Sequence, residues 1–118
     1  MNESSLLVKR LLEARQFWVD AGRFRFHVRR PTEMQLMRMR RGNQIEIGLE
    51  IVRDQVIGWE GVTEADLVPA GGGEAVAFDA LLYRTWIEDR PDLWQAIADR
   101  MFEVIEQHAK DLEAEVKN

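Results

Sequence analysis

The chain contains no cysteine and only two histidines among its 118 residues. Without cysteine it has neither a disulfide framework nor a thiolate metal site. His27 and His108 lie far apart in the sequence and have no ligand-spaced neighbours, so structural roles are favoured for both. No segment approaches the roughly 20 apolar residues of a transmembrane helix. We therefore expect a protein without a bound metal and without a membrane partner.

The sequence also lacks motifs that would indicate an enzyme. Paired acids such as Glu88 and Asp89 fall at predicted helix ends, and no general acid–base pair stands out. The segment GGGEA at 71–75 lacks the lysine and the Ser/Thr of a phosphate-binding loop, so it is interpreted as a flexible linker. The first residues, MNESSLLVKRLLEAR, do not have the pattern of a signal peptide. We expect no catalytic or cofactor-binding residues, no cofactor, and a cytoplasmic protein.

Charge is distributed unevenly along the chain. The net charge is −5, yet residues 23–41, here called the basic segment, hold seven arginines and one glutamate, a net of +6. Within this segment Phe24, Phe26 and Val28 alternate with arginine or histidine, which predicts a half-buried strand whose arginines face water. A nucleic-acid interface is the alternative interpretation. Because the acidic remainder of the chain would repel a polyanion, an acidic protein or a second copy of the chain is the favoured partner.

Hydrophobic periodicity predicts a mainly α protein with an N-terminal β-hairpin (α+β), four to five helices and a single domain over 1–118. The predicted segments are a short helix at 4–14, a hairpin at 16–30, a helical body at 32–113 and a glycine-rich loop at 67–76. The first helix carries one apolar stripe, formed by Leu7, Val8, Leu11 and Leu12. The hairpin is expected to turn at Ala21-Gly22.

Several local signals divide the helical body. Thr32 and Gln35 have the spacing of a capping box and predict a helix over about 33–41. Residues 44–56 fit both the alternation of a strand and the period of a helix, and their polar positions favour a helix. Residues 57–76 are interpreted as a connector. Asp79 is a predicted N-cap, Pro91 suits the first turn of the last helix, and the final residues EAEVKN are expected to fray.

Two segments carry a family resemblance. VIGWEGV at 56–62, a short acidic and glycine-rich loop, and then 76-VAFDALLYRTWIEDRPDLWQAI-97 resemble the tail assembly chaperones of long-tailed bacteriophages and prophages. The segment 29-RRPTEMQ-35 resembles the entry to that family's first core helix, so the resemblance covers about residues 16–105. It implies a non-enzymatic protein of the host bacterial cytoplasm that keeps the tape measure protein soluble during tail tube assembly. Some members of that family are made in two lengths, and the longer form also recruits tail tube subunits, which makes the tail tube protein a candidate second partner.

The same segments suggest roles for individual residues. Trp59 is expected to fill the core beneath a tight bend that Gly58 and Gly61 permit, with Phe78 leading the next helix. Partner contact is expected at the end of the first core helix, where methionines can repack against different surfaces. The residues predicted to bind a partner are Met37, Arg38, Met39, Arg40 and Arg41.

Overall fold

The computed structural model describes residues 2–40 and 43–117 of the chain. In chain order the elements are α1 (Glu3–Ala14), β1 (Gln16–Ala21), β2 (Phe24–Arg29), α2 (Glu33–Met39), α3 (Gln44–Asp54), β3 (Val56–Glu60), α4 (Glu64–Leu67), α5 (Ala80–Ile87) and α6 (Pro91–Lys117). The mainly α class with an N-terminal hairpin is confirmed. The described residues form six helices rather than four or five, because the single turn α4 has too few residues to show a period.

The predicted hairpin is confirmed, and it buries the predicted side chains. β1 and β2 pair antiparallel, with Gln16 opposite Arg29 and Ala21 opposite Phe24. Gly22 has a φ of +60° at the first position of the two-residue loop, where a type II′ turn favours glycine. Phe24, Phe26 and Val28 are 3%, 0% and 0% exposed. The alternating residues of β2 therefore face the core together, and the intervening arginines face outward.

A third strand corrects the interpretation of residues 57–76 as a connector. β3 pairs antiparallel with β2 and completes a sheet in the order β1-β2-β3. Trp59 lies opposite Phe26 and Gly58 opposite His27, with a register irregularity after His27. The glycines at 58 and 61 suggested a loop, but the strand is fixed by pairing with residues about thirty positions earlier.

Three helices, α3, α5 and α6, cover one face of the sheet. α6 packs across β1 and against both α3 and α5, and α3 also contacts β3. Val19, Phe26, Ile51, Tyr83 and Ile97 lie within this core. The Tyr83 hydroxyl donates a 2.5 Å hydrogen bond to the Val52 carbonyl, which ties α5 to α3. The helices on this face therefore form one hydrophobic core with the sheet.

The predicted helix starts are confirmed. The Thr32 hydroxyl accepts from the Gln35 backbone N–H, and the Gln35 side chain accepts from the Thr32 N–H, which completes a capping box. Asp79 Oδ1 accepts from the Leu82 N–H at 3.0 Å. Residues Gln44–Asp54 are helical, as the polar positions favoured. Each cap satisfies backbone donors that the first turn leaves unpaired.

Two other boundaries differ from the predictions. The glycine-rich loop folds back on α4 and on the residues before it. The Ala65 N–H donates to the Gly72 carbonyl, and the Val76 N–H donates to the Val62 carbonyl. The loop is therefore a hydrogen-bonded connection and not a free linker. α6 continues to Lys117, past the predicted end at 113 and through residues expected to fray. An ion pair between Lys117 and Glu113 at 2.9 Å supports that last turn.

Candidate functional site

The apolar stripe of α1 lies outside the core of its own chain. Leu7, Val8, Leu11 and Leu12, here called the α1 stripe, are between 46% and 61% exposed. No residue of α1 is buried. The sequence predicted this stripe but not its exposure. An apolar helix face left open to water is typical of a surface that another protein covers.

The junction between α1 and the hairpin explains this exposure. Arg15 alone separates the end of α1 from the start of β1. A helix that folds back on the following strand normally needs a connection of about two to six residues. The Arg30 N–H also donates to the Arg15 carbonyl at 2.7 Å, which fixes the junction beside the end of β2. α1 is therefore held at the open end of the hairpin and does not lie on the sheet.

α2 leaves the hairpin from the same end and exposes two methionines. Met34 and Met37 are 70% and 69% exposed and lie three positions apart, so they share one face of the helix. Long, flexible thioether side chains adapt to different apolar partners. The α1 stripe and this pair of methionines thus place two apolar faces near one end of the molecule.

Four of the five residues predicted to bind a partner lie in the described part of the chain, and they differ in exposure. Met37, Arg38 and Arg40 are exposed on or just after α2. Met39 is half-buried and packs against the core. Arg41 lies outside the described residues. Partner binding by this segment remains a prediction, and within it Met39 is better explained by packing.

A second apolar surface runs between α3 and α6. The residues that line it, here called the α3–α6 groove, are mostly apolar (Ile45, Gly48, Leu49, Val52, Ile87, Trp94, Ala98 and Phe102), together with the polar or charged residues Arg53, Arg84, Glu88, Gln95 and Asp99. It consists of two adjoining hollows with volumes of about 390 and 270 Å³ that share Leu49 and Trp94. A Cβ added at Gly48 would lie 3.8 Å from the Phe102 ring, an ordinary van der Waals distance, so the glycine adds only a little space to this part of the groove. No sequence pattern indicated this groove, because it depends on how the two helices pack.

Arginines of the basic segment are largely engaged within the protein. Arg25 pairs with Asp20 at 3.3 Å and with Glu60 at 3.1 Å, and Arg23 pairs with Asp66. Arg29 donates to the Gln55 side chain at 3.4 Å. These contacts hold the guanidinium groups against neighbouring strands and loops. They leave fewer charges directed at a phosphate backbone than the sequence suggested.

On the outer face of the sheet, aromatic and basic side chains likewise contact one another. The Trp18 ring stacks on His27 with centroids 4.5 Å apart, and the Arg25 guanidinium lies 4.8 Å from the Trp18 ring centroid. The pKa of Arg30 is lowered. The larger cause is partial burial of its guanidinium, and the second is the positive charge of Arg15. Trp18 is 39% exposed, and His27 and Arg25 occupy part of the ring surface on which a base would stack.

Trp59, Gly58, Gly61 and Phe78 have structural positions. Trp59 is buried, its indole N–H donates to the Val76 carbonyl at 2.7 Å, and its ring meets Phe78 edge-on with centroids 5.2 Å apart. Gly61 has a φ of +83°, which favours glycine. A Cβ on Gly58 would lie 3.3 Å from the His27 Cβ, so this strand position also suits glycine.

Neither a metal-binding cluster nor a membrane-spanning helix is found within residues 2–40 and 43–117. No group of three or more His, Cys, Asp or Glu side chains is placed to hold a metal ion. No helix in this part of the chain combines the length and apolar character needed to cross a bilayer. Exposed apolar surfaces of the described residues include the α1 stripe, the α2 methionines and the α3–α6 groove.

Comparison with protein-family models, with characterised proteins and with solved structures gives no match to this chain. The resemblance to tail assembly chaperones therefore depends on the quoted segments alone. Any assignment of function must be supported by the surfaces described above.

Proposed function

We propose that this chain is a non-enzymatic tail assembly chaperone that keeps a tape measure protein soluble in the host bacterial cytoplasm. The observation that carries the proposal is the α1 stripe, an amphipathic helix face that the chain's own core leaves uncovered. A tape measure protein of this family is long, helical and apolar. Its helices would bury their apolar faces against such a stripe, as in other helix-to-helix recognition.

Two other features support the proposal. Met34 and Met37 extend the exposed apolar surface with side chains that adapt to varied sequences, which suits a client with many similar helices. The net charge of −5 keeps a chain with exposed leucines from associating indiscriminately. The tail tube protein is the second partner in this proposal, since it polymerises around the same client.

The engaged arginines favour this proposal over a nucleic-acid regulator. Arg23, Arg25 and Arg29 already have partners in the chain, which leaves Arg38 and Arg40 as the exposed arginines of the described part of the basic segment beyond the hairpin. Nucleic-acid binding would show a steep loss of affinity with added salt. We expect no such salt-dependent binding when the chain is titrated into labelled duplex DNA.

The direct test is co-expression with the tape measure protein encoded near this chain's gene. We expect the tape measure protein to be soluble with the wild-type chain and insoluble without it. The double variant Leu7→Ser, Leu11→Ser should lose this effect, because it makes the α1 stripe polar without touching the core. The soluble fraction is measured by quantitative gel or immunoblot after centrifugation.

Leu81→Ser provides the matched control. Leu81 is 75% exposed on α5, away from the α1 stripe, so the same substitution there should preserve the solubilising effect. If the wild-type chain leaves the tape measure protein insoluble, the proposal is wrong. If the α1 double variant solubilises it as well as the Leu81→Ser variant does, the stripe is not the binding surface.

A further inference from the structure

We propose that α1 of one copy docks in the α3–α6 groove of a second copy, and that the exchange is reciprocal. The resulting two-fold dimer would cover both the α1 stripe and the α3–α6 groove of each chain. This inference does not depend on the proposed chaperone function, because every contact that it invokes lies within copies of this chain. Both use the α1 stripe, so on any one chain docking in the groove and binding of a tape measure protein exclude each other.

α1 needs a partner to remain helical. It has twelve residues, a length at which an isolated helix is only marginally stable in water. An N-cap hydrogen bond from Ser5 N to Asn2 Oδ1 and an i,i+4 ion pair between Lys9 and Glu13 stabilise it only slightly. Since its own chain buries none of its residues, the remaining stabilisation must come from another surface.

The α3–α6 groove has the shape and chemistry of that surface. Ile45 and Leu49 are 75% and 46% exposed on α3, and Trp94 and Phe102 form the opposite wall on α6. Along α3 the groove extends from Ile45 to Arg53, about 12 Å at 1.5 Å per residue. The apolar face of α1 from Leu7 to Ala14 covers about 10 Å on the same scale. A helix laid along the groove would place its leucines between the two walls.

Charges at the edges of the two surfaces are complementary. On the helical wheel Lys9 and Arg10 border opposite sides of the α1 stripe. Asp99 lines the α6 side of the groove, and Glu46 follows Ile45 on the exposed side of α3. Arg53 and Arg84 also line the groove, but both already pair with Asp54. Among the described residues neither Asp99 nor Glu46 forms an ion pair within the chain. A docked α1 would bring two cations beside two carboxylates.

Reciprocal exchange halves the area that each surface has to bury for a stable dimer. A standard interface buries about 800 Å² on each partner. Each copy contributes both a helix face and a groove, so each of these surfaces has to bury only about 400 Å². That area is within the range of the largest apolar patches that single chains expose. A two-fold axis makes both contacts identical, which is the commonest arrangement of homodimers.

The absence of native cysteine makes a disulfide test direct. Leu11→Cys and Leu49→Cys variants are purified separately, mixed, and oxidised under mild conditions. We expect a covalent dimer joining one chain of each variant, identified by mass spectrometry of the linked peptides. Each variant alone should give much less covalent dimer, because the two-fold axis separates equivalent positions.

A mixture of Leu81→Cys with Leu49→Cys gives the level of random collision, since Leu81 is equally accessible but lies outside both surfaces. Cross-linking of the Leu11→Cys and Leu49→Cys mixture no faster than this level would overturn the proposal. So would faster cross-linking of Leu11→Cys with itself, which would indicate α1 pairing with α1.

Sedimentation equilibrium of the full chain gives an independent test. We expect a monomer–dimer equilibrium in which Lys9→Glu, Arg10→Glu weakens association by about tenfold. A second variant carries Glu46→Lys and Asp99→Lys and keeps Lys9 and Arg10. Mixing this variant with the Lys9→Glu, Arg10→Glu variant should restore association. A chain that stays monomeric at every concentration, or a dimer that ignores both charge reversals, would contradict the proposed contact. Either result would leave co-expression with the tape measure protein as a separate test of the proposed function.

Discussion

Replacing Trp59 by phenylalanine tests whether this side chain holds the third strand to the helical layer. The indole N–H donates to the Val76 carbonyl at 2.7 Å, and the ring meets Phe78, Tyr83 and Trp86 edge-on with centroids 5.2 to 6.5 Å away. Trp59→Phe retains an aromatic ring but removes the donor and part of the volume. It therefore isolates the contribution of the indole from that of a generic apolar residue.

The expected loss of stability follows from these contacts. Leaving the Val76 carbonyl without its partner costs about 1–3 kcal/mol. A void of roughly 40 Å³ adds about 1 kcal/mol at about 24 cal/mol per Å³. We therefore expect the free energy of unfolding to fall by about 2–4 kcal/mol, from the range of about 5–15 kcal/mol typical of a domain.

Urea denaturation followed by circular dichroism at 222 nm measures this change. The control is Trp18→Phe, since Trp18 is 39% exposed on the outer face of the sheet, and we expect it to cost less than about 1 kcal/mol. A loss below about 0.5 kcal/mol for Trp59→Phe, or a larger loss for Trp18→Phe, would refute the assignment of Trp59 to the core.

Two further predictions concern backbone strain and ionisation. Gly61→Ala should destabilise the chain by about 1 kcal/mol or more, because Gly61 has a φ of +83° and the added Cβ would lie 3.4 Å from the Arg23 carbonyl. Gly72→Ala, into open space, should change the free energy of unfolding by less than about 0.5 kcal/mol in the same urea assay, and equal losses for both variants would contradict the argument. Burial raises the pKa of the Tyr83 hydroxyl above its usual value of about 10, so the folded state keeps this proton at a pH where the unfolded state loses it. Stability should therefore fall as pH rises above about 10, and the chain's single tyrosine should ionise together with unfolding, measured by absorbance at 295 nm. Ionisation of this tyrosine in the folded chain near pH 10 would show that its hydroxyl is not buried.

The elements that the sequence predicted well are those with local causes. The hairpin follows from the alternation at Phe24, Phe26 and Val28 and from the glycine at its turn. The start of α2 follows from the side-chain spacing of Thr32 and Gln35. In each case the determining contacts join residues only a few positions apart, so a short segment contains the information.

The parts that were missed depend on distant contacts. β3 contains Gly58 and is followed by Gly61, and its strand conformation is set by pairing with β2, far away in the sequence. Periodicity predicted the α1 stripe but could not say whether the core would cover it. That outcome depends on the one-residue junction at Arg15 and on where the hairpin points the helix. The α3–α6 groove likewise exists only once two helices have packed.

The central claim is that the chain's own fold leaves the α1 stripe uncovered. Amide hydrogen exchange tests it most directly, at concentrations where sedimentation shows a monomer. We predict that amides of α1 exchange on the order of 100-fold faster than those of Ile97 and Met101 in α6, and become protected when a tape measure protein or a second copy is added. Protection of α1 in the monomer equal to that of Ile97 and Met101 would contradict the account, because it would mean that the chain itself covers the stripe.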